Sequence, residues 1–196
     1  MVPKRYINLP PNPSSFIESV RFFGYSMETA VADIIDNSIT AKAKKIDIRF
    51  AWDSGNPWLA IIDDGYVMTE DKLVIAMQLG SKNPKLERTR DDLGRFGIGL
   101  KTASLSQCRH LSVISKKNAC VTGYDYDLDN FNNVENGKWS VGIIEDDDIT
   151  DNPILSSLFN EHLEQSDSGT IVLWEILDRI EERSGQPLDF QLMYSH

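Results

Sequence analysis

The sequence predicts an α+β fold in two layers, with helices on one face of a mixed, mainly antiparallel sheet. Three observations lead there. Two segments of helical period open the chain, and a pair of strand-like segments around one turn follows them. Beyond residue 110 the strand segments succeed one another instead of alternating with helices, which excludes a doubly wound sheet.

Residues 1–13 carry Pro3, Pro10, Pro11 and Pro13 and read as an extended arm. Ser14 or Ser15 suits a helix cap with Glu18 near its third position, and Phe16, Val20 and Phe23 share the face expected to point inward. Ser26 caps a second helix that runs to about Ile39 with Ala30, Ile34 and Ile35 inward. Lys45–Trp52 alternates polar and apolar residues like a half-buried strand. The turn Asp53–Pro57 joins it to the more apolar Trp58–Ile62, making a hairpin. A short helix fits Glu70–Gln78, and the charged stretch from Gly80 to Asp92 has no period and reads as a mobile loop. Glycines then open a helix over Ile98–Gln107. Strands are expected at His110–Ser115, Cys120–Leu128 and Lys138–Ile144, a helix around Ile154–Leu163, and a last strand at Gly169–Trp174.

With 196 residues, 41% hydrophobic and 26% charged, the chain fits one domain over 14–175, an arm before it and a tail over 176–196. The apolar runs are too short to span a bilayer, and the N-terminus lacks the apolar core of a secretory signal. A cytoplasmic location is expected, nuclear in a eukaryote. A net charge of −10 argues against a broad phosphate-backbone footprint, leaving nucleic acid to other regions if it is contacted at all. Cys108 and Cys120 form no disulfide framework, and His110, His162 and His196 are scattered, so no zinc site is expected. The acidic run Glu145–Asp148 reads as a solvated turn.

Four elements carry chemistry, each with a plainer alternative. The run from Gly94 to Thr102 lacks the Lys directly after the last glycine that a P-loop needs, and its glycine spacing fails the dinucleotide fingerprint. It is either an anion-approaching backbone or an ordinary helix entry. Asp33 and Asn37 stand four apart on one helix face. They suit water activation and Mg²⁺ ligation respectively, or a hydrogen-bonded pair in solvent. Asp63-Asp64-Gly65 ends a buried strand, where a carboxylate can accept from an exocyclic amine, or is a turn. Ser168-Gly169-Thr170 begins the last strand and offers a hydroxyl.

In order and spacing these elements resemble the GHKL superfamily of ATPases (gyrase, heat-shock chaperone, histidine kinase, MutL). The N-box reads ADIIDNS (Ala32–Ser38), the adenine motif DDGYVM (Asp63–Met68), the glycine motif LGRFGIGLKTAS (Leu93–Ser104) and the distal pair Gly169-Thr170. The GSKNP segment (Gly80–Pro84) resembles an ATP lid. From there through Ser115 the chain looks most like the microrchidia-type and related bacterial ATPases. The resemblance implies a Bergerat-type sandwich, ATP and Mg as cofactors, and a nucleotide site. In that site Asn37 holds the metal, Asp63 reads the adenine amine, and Gly65 and Met68 line the base. Gly94, Arg95, Phe96, Gly97, Ile98 and Gly99 surround the phosphates, Lys82 and Lys101 supply charge, Thr170 supports the base through water, and Asp33 is the general base.

Two positions depart from that pattern. Asp33 stands where the superfamily has Glu, a retraction of about 1.5 Å, and misplacement of that order costs on the order of 100-fold in rate. Val67 fills the place of a second glycine, so the turn there is expected to differ locally. The function expected is a slow Mg-dependent ATPase that couples nucleotide binding to lid closure and dimerisation. The alternatives are a nucleotide-sensing switch without hydrolysis and, less well supported, a histidine-kinase catalytic domain. The expected partner is a second copy, or another chain that supplies a cation. The apolar tail Leu188–Tyr194 suits packing on a following domain, so a fragment of a longer protein is expected.

Overall fold

The computed structural model describes residues 7–8, 12–22, 25–53, 55–78, 99–130 and 140–182. Helices α1 (Pro13–Arg21) and α2 (Met27–Thr40) precede the hairpin β1 (Ile46–Asp53) and β2 (Asn56–Asp63). Helices α3 (Glu70–Met77) and α4 (Gly99–Leu105) then lead to β3 (His110–Lys117), β4 (Cys120–Asp127) and β5 (Gly142–Ile144). After α5 (Asp146–Asp151), α6 (Pro153–Leu158) and a π-helical turn Phe159–Leu163 come β6 (Ser168–Glu175) and α7 (Arg179–Glu182).

The sheet order is β1-β2-β6-β3-β4-β5, and every pairing is antiparallel. Side chains alternate between the two faces. Leu59, Ile61, Leu111, Val113, Tyr124, Tyr126, Val172 and Trp174 face α1–α4 and form the larger core with Ile17, Ala30, Ile34, Leu73 and Leu105. Burying each large aliphatic side chain there stabilises by about 1.5–3 kcal/mol. This is the expected two-layer α+β sandwich. The opposite face carries a smaller apolar cluster, where Ala60, Ile62, Ile114, Ile171 and Leu173 meet Ile149, Leu155, Leu158 and Leu163 from the α5–α6 region.

Local differences from the expectations have clear causes. The cap of α1 is Asn12, whose side chain accepts from the Ser15 amide, with Pro13 pre-set at the first helical position. Its inward face is Pro13, Ile17 and Arg21, while Phe16 is exposed. The buried Arg21 is neutralised by Asp178 and donates to the Cys108 carbonyl, so an arginine occupies a core position. Ser26 caps α2 as expected, with Ala30 and Ile34 buried. The acidic run is not a turn. Glu145 and Asp148 make a reciprocal capping box that opens α5. Phe23, Phe131–Trp139, the stretch 79–98 and the tail beyond 182 lie outside the described residues.

Candidate nucleotide site

Asp63 closes β2 on the α1–α4 side of the sheet, 8% exposed. Its Oδ2 accepts from the Ser38 hydroxyl at 2.8 Å, and its Oδ1 accepts from the Gly65 amide at 2.9 Å. Both partners are uncharged, and burial raises the Asp63 pKa from its ordinary value. Asp64 points the other way and accepts from the Lys45 and Lys44 amides at 2.9 and 2.7 Å. The Lys45 amide is the main cause that holds its pKa low. Two adjacent aspartates therefore divide the work: Asp64 ties the turn to the start of β1, and Asp63 presents a carboxylate inward.

Thr170 pairs with Asp63 across β2 and β6, and its hydroxyl stands 3.5 Å from that of Ser115. The packing at Gly65 is tight. A Cβ there would lie 2.8 Å from the Ala41 Cβ and 2.9 Å from both the Ala41 carbonyl and Asp63 Oδ1, so only glycine fits without a shift. The Tyr66 amide donates to that Ala41 carbonyl at 2.7 Å, which ties the turn to the end of α2. Val67 keeps an ordinary φ. Among the described residues the positive-φ non-glycines are Lys42, Asn118 and Ile176, so this turn needs no second glycine.

On α2, Asp33 is half-buried and Asn37 is exposed. The Asp33 carboxylate faces the start of α4: a Cβ built on Gly99 would stand 3.6 Å from its Oδ2. The Tyr25 pKa is raised from its ordinary value, by burial first and by the Asp33 charge second. Met68 packs against the larger core. Lys101 is 1% exposed, and its ammonium donates to the Gln78 carbonyl at 2.6 Å and lies 3.5 Å from the Ile75 carbonyl. With Tyr126, which donates to the Met77 carbonyl at 2.6 Å, it caps the C-terminus of α3. Lys82, Gly94, Arg95, Phe96, Gly97 and Ile98 lie outside the described residues.

Asp63, Thr170, Gly65, Asp33 and Gly99 are thus all carried by the elements that meet on one face of the sheet. Ser38 was not singled out from the sequence. The position of Ser38, four residues after Ile34 on the buried face of α2, was the available signal. A cavity of about 570 Å³ lies on the opposite face, lined by His110, Ser112, Asp125, Glu175 and residues of the α5–α6 region. None of the candidate nucleotide residues lines it, so it is set apart from this chemistry.

Residues 25–170 match the family described as histidine kinase-, DNA gyrase B- and HSP90-like ATPase. The chain belongs to this family. Membership supports an ATP-binding, ATPase-type function. A stretch of 94 residues, 48% of the chain, is 28% identical to ATPase morc-1 of Caenorhabditis elegans. That match spans 11% of the length of the nematode protein. Among the described residues no helix is long and apolar enough to cross a membrane, and no cluster of three His, Cys, Asp or Glu side chains is placed to hold a metal.

Proposed function

We propose that this family member is a slow, magnesium-dependent ATPase domain that binds adenine at Asp63 and Thr170 and directs the phosphates toward Asp33, Asn37 and Gly99. The observation that carries it is Asp63, a buried carboxylate at a strand end whose neighbours among the described residues supply hydrogen bonds but no counter-charge. A ligand amine adds the donor that such an acceptor favours.

The residues present suit magnesium arriving on the phosphates. Asn37 offers one neutral oxygen at an exposed position, which suits a cation that keeps water and phosphate ligands. Magnesium there would neutralise phosphate charge. Asp33 orients the attacking water and takes its proton as the water oxygen bonds the γ-phosphorus and the bond to the departing ADP breaks. Coupling to lid closure and dimerisation, with a cation supplied by a second copy or a partner chain, is part of this reading.

One feature favours the switch reading, in which nucleotide is sensed without turnover. The Lys101 ammonium is engaged with α3 carbonyls, so a nearby cation of the glycine motif already has protein partners. Enzyme-excess single-turnover hydrolysis with magnesium, set beside calorimetric ATP affinity, separates the two. Asp33→Ala is expected to abolish turnover and leave magnesium-dependent binding within about twofold. A variant that hydrolyses like its parent would reduce Asp33 to a structural role and leave the switch.

A further inference from the structure

We propose that the cavity on the α5–α6 face is a second binding site, separate from the nucleotide residues, for an organic cation. The ligand is an amine or guanidinium on an aliphatic stem, the chemistry of a lysine or arginine side chain.

Three neighbouring strands build the floor. His110 and Ser112 of β3 lie on the same face as Ile114, with Asp125 of β4 on one side and Glu175 of β6 on the other. His110 presents Nε2 to Asp125 at 3.0 Å and Nδ1 to Glu175 at 3.2 Å, and only an imidazolium has a proton for each. The Asn152 amide adds a donor to Glu175 at 3.2 Å. The rim is different. Asp148 and Asp151 of α5 bring two more carboxylates to the cavity, and among the described residues neither is paired with a cation. Four carboxylates thus face one imidazolium around about 570 Å³, a formal excess of three negative charges. A concave space lined by one sign of charge concentrates the opposite charge within it.

Ser112 separates a site from a merely acidic surface. It is 2% exposed, it lines the cavity, and among the described residues its hydroxyl has no hydrogen-bond partner. A buried hydroxyl in that state costs stability, and a ligand N–H placed beside it removes the cost. The carboxylates are too dispersed for an ion: among the described residues no three His, Cys, Asp or Glu side chains converge to hold a metal. A ligand that spreads several N–H donors suits them better, as a guanidinium does. Ile143 and Ile154 supply apolar wall, against which an aliphatic stem lies while its charged head reaches the floor.

The test follows backbone amide shifts of the isotope-labelled chain by NMR. N-acetyl-arginine amide is expected to give saturable shifts confined to the cavity residues, and its neutral isostere N-acetyl-citrulline amide to bind about tenfold more weakly. Ser112→Ala is expected to weaken arginine amide about fivefold and to melt at or above the parent temperature, opposite signs that a structural hydroxyl does not produce. Asp151→Asn changes an exposed residue and is expected to weaken binding about fivefold with the melting temperature unchanged. A glycine-flanked arginine peptide and spermidine distinguish the source. Tighter binding of the peptide points to a polypeptide partner, tighter binding of spermidine to a free polyamine, and either upholds the site. Equal affinity for the citrulline amide would show that charge is not read and overturn the proposal. So would the absence of a saturable shift for every probe, or shifts spread over the whole surface that vanish in about 0.15 M salt. A Ser112→Ala chain that loses stability yet binds like the parent overturns it as well.

Discussion

The two faces of the sheet treat their carboxylates in opposite ways. On the α5–α6 side, His110 lies between Asp125 and Glu175, at 3.0 Å through Nε2 and 3.2 Å through Nδ1. Those two hydrogen bonds, Asp125 first, raise the His110 pKa to about 10, so the imidazole is a cation at neutral pH. On the α1–α4 side, Asp63 accepts from a hydroxyl and an amide and, among the described residues, pairs with no cation, while burial works against its charge. A group with its counter-charge already in place holds the fold together. A group left without one costs stability and retains affinity for something else, and the difference marks the face on which nucleotide binding is expected.

The strongest way to break this contrast is to remove the histidine. His110→Ala leaves two carboxylates facing each other and is expected to destabilise by about 3 kcal/mol at neutral pH, reduced from the cost of a fully buried pair because a quarter of the side chain is exposed. Denaturant titration reads it. The pH dependence sharpens the point. The folded-state pKa of His110 lies above its unfolded value, so its stabilisation is complete below about pH 6.5 and is lost as the pH rises toward 10. The parent should lose stability over that window and the variant should not. A parent with a flat profile would mean that His110 is neutral, and the contrast would collapse.

Asp63→Asn tests the other face, with opposite signs for binding and stability. ATP affinity is expected to fall on the order of 10-fold, about 1.4 kcal/mol, through loss of a charge-assisted hydrogen bond. Folding stability is expected to rise by about 1 kcal/mol at neutral pH. The raised pKa of Asp63 means that its contribution is full in acid and is lost as the pH rises, and an amide escapes that loss. Asparagine can still accept from the Gly65 amide and donate to the Ser38 hydroxyl, so neither contact is orphaned. An asparagine variant that binds ATP normally would place the base elsewhere. The smallest effect is expected from Thr170→Val, which removes a hydroxyl whose contact with Ser115 is long at 3.5 Å. It should cost about 0.5 kcal/mol of stability and a few-fold in ATP affinity by calorimetry. A larger stability loss would show the threonine to be part of the core rather than of the site.

Much of this was legible in the residues themselves. Ser26 before an apolar period announced α2, and the alternation around Asp53–Pro57 announced the first hairpin. What stayed hidden depended on distant partners. Nothing local marks Arg21 as buried, because its neutralising Asp178 lies far along the chain, and the inward face of α1 was assigned to Phe16, Val20 and Phe23, of which Phe16 is exposed. Glu145–Asp148 read as a turn because clustered acids suggest solvent, although each caps the backbone of the other. In the site, Asp63 and Gly65 were readable from the strand end that carries them. The contacts of Ser38 with Asp63 and of Lys101 with Gln78 were not, since each joins elements whose crossing no local pattern records.

The sheet order has a consequence for how the chain is made. β6 is inserted between β2 and β3, and it alone joins the β1–β2 hairpin to the β3–β4 pair. As the polypeptide leaves the ribosome, both hairpins can form locally, with β2 and β3 each presenting a bare edge of unpaired amides and carbonyls beside buried-type residues such as Ile61 and Val113. Those edges wait until Ser168–Glu175 has been synthesised, an interval of seconds at roughly 5–20 residues per second. The nascent chain is therefore most vulnerable to misassociation between Lys117 and Ser168, and the arrival of one apolar strand closes both edges at once.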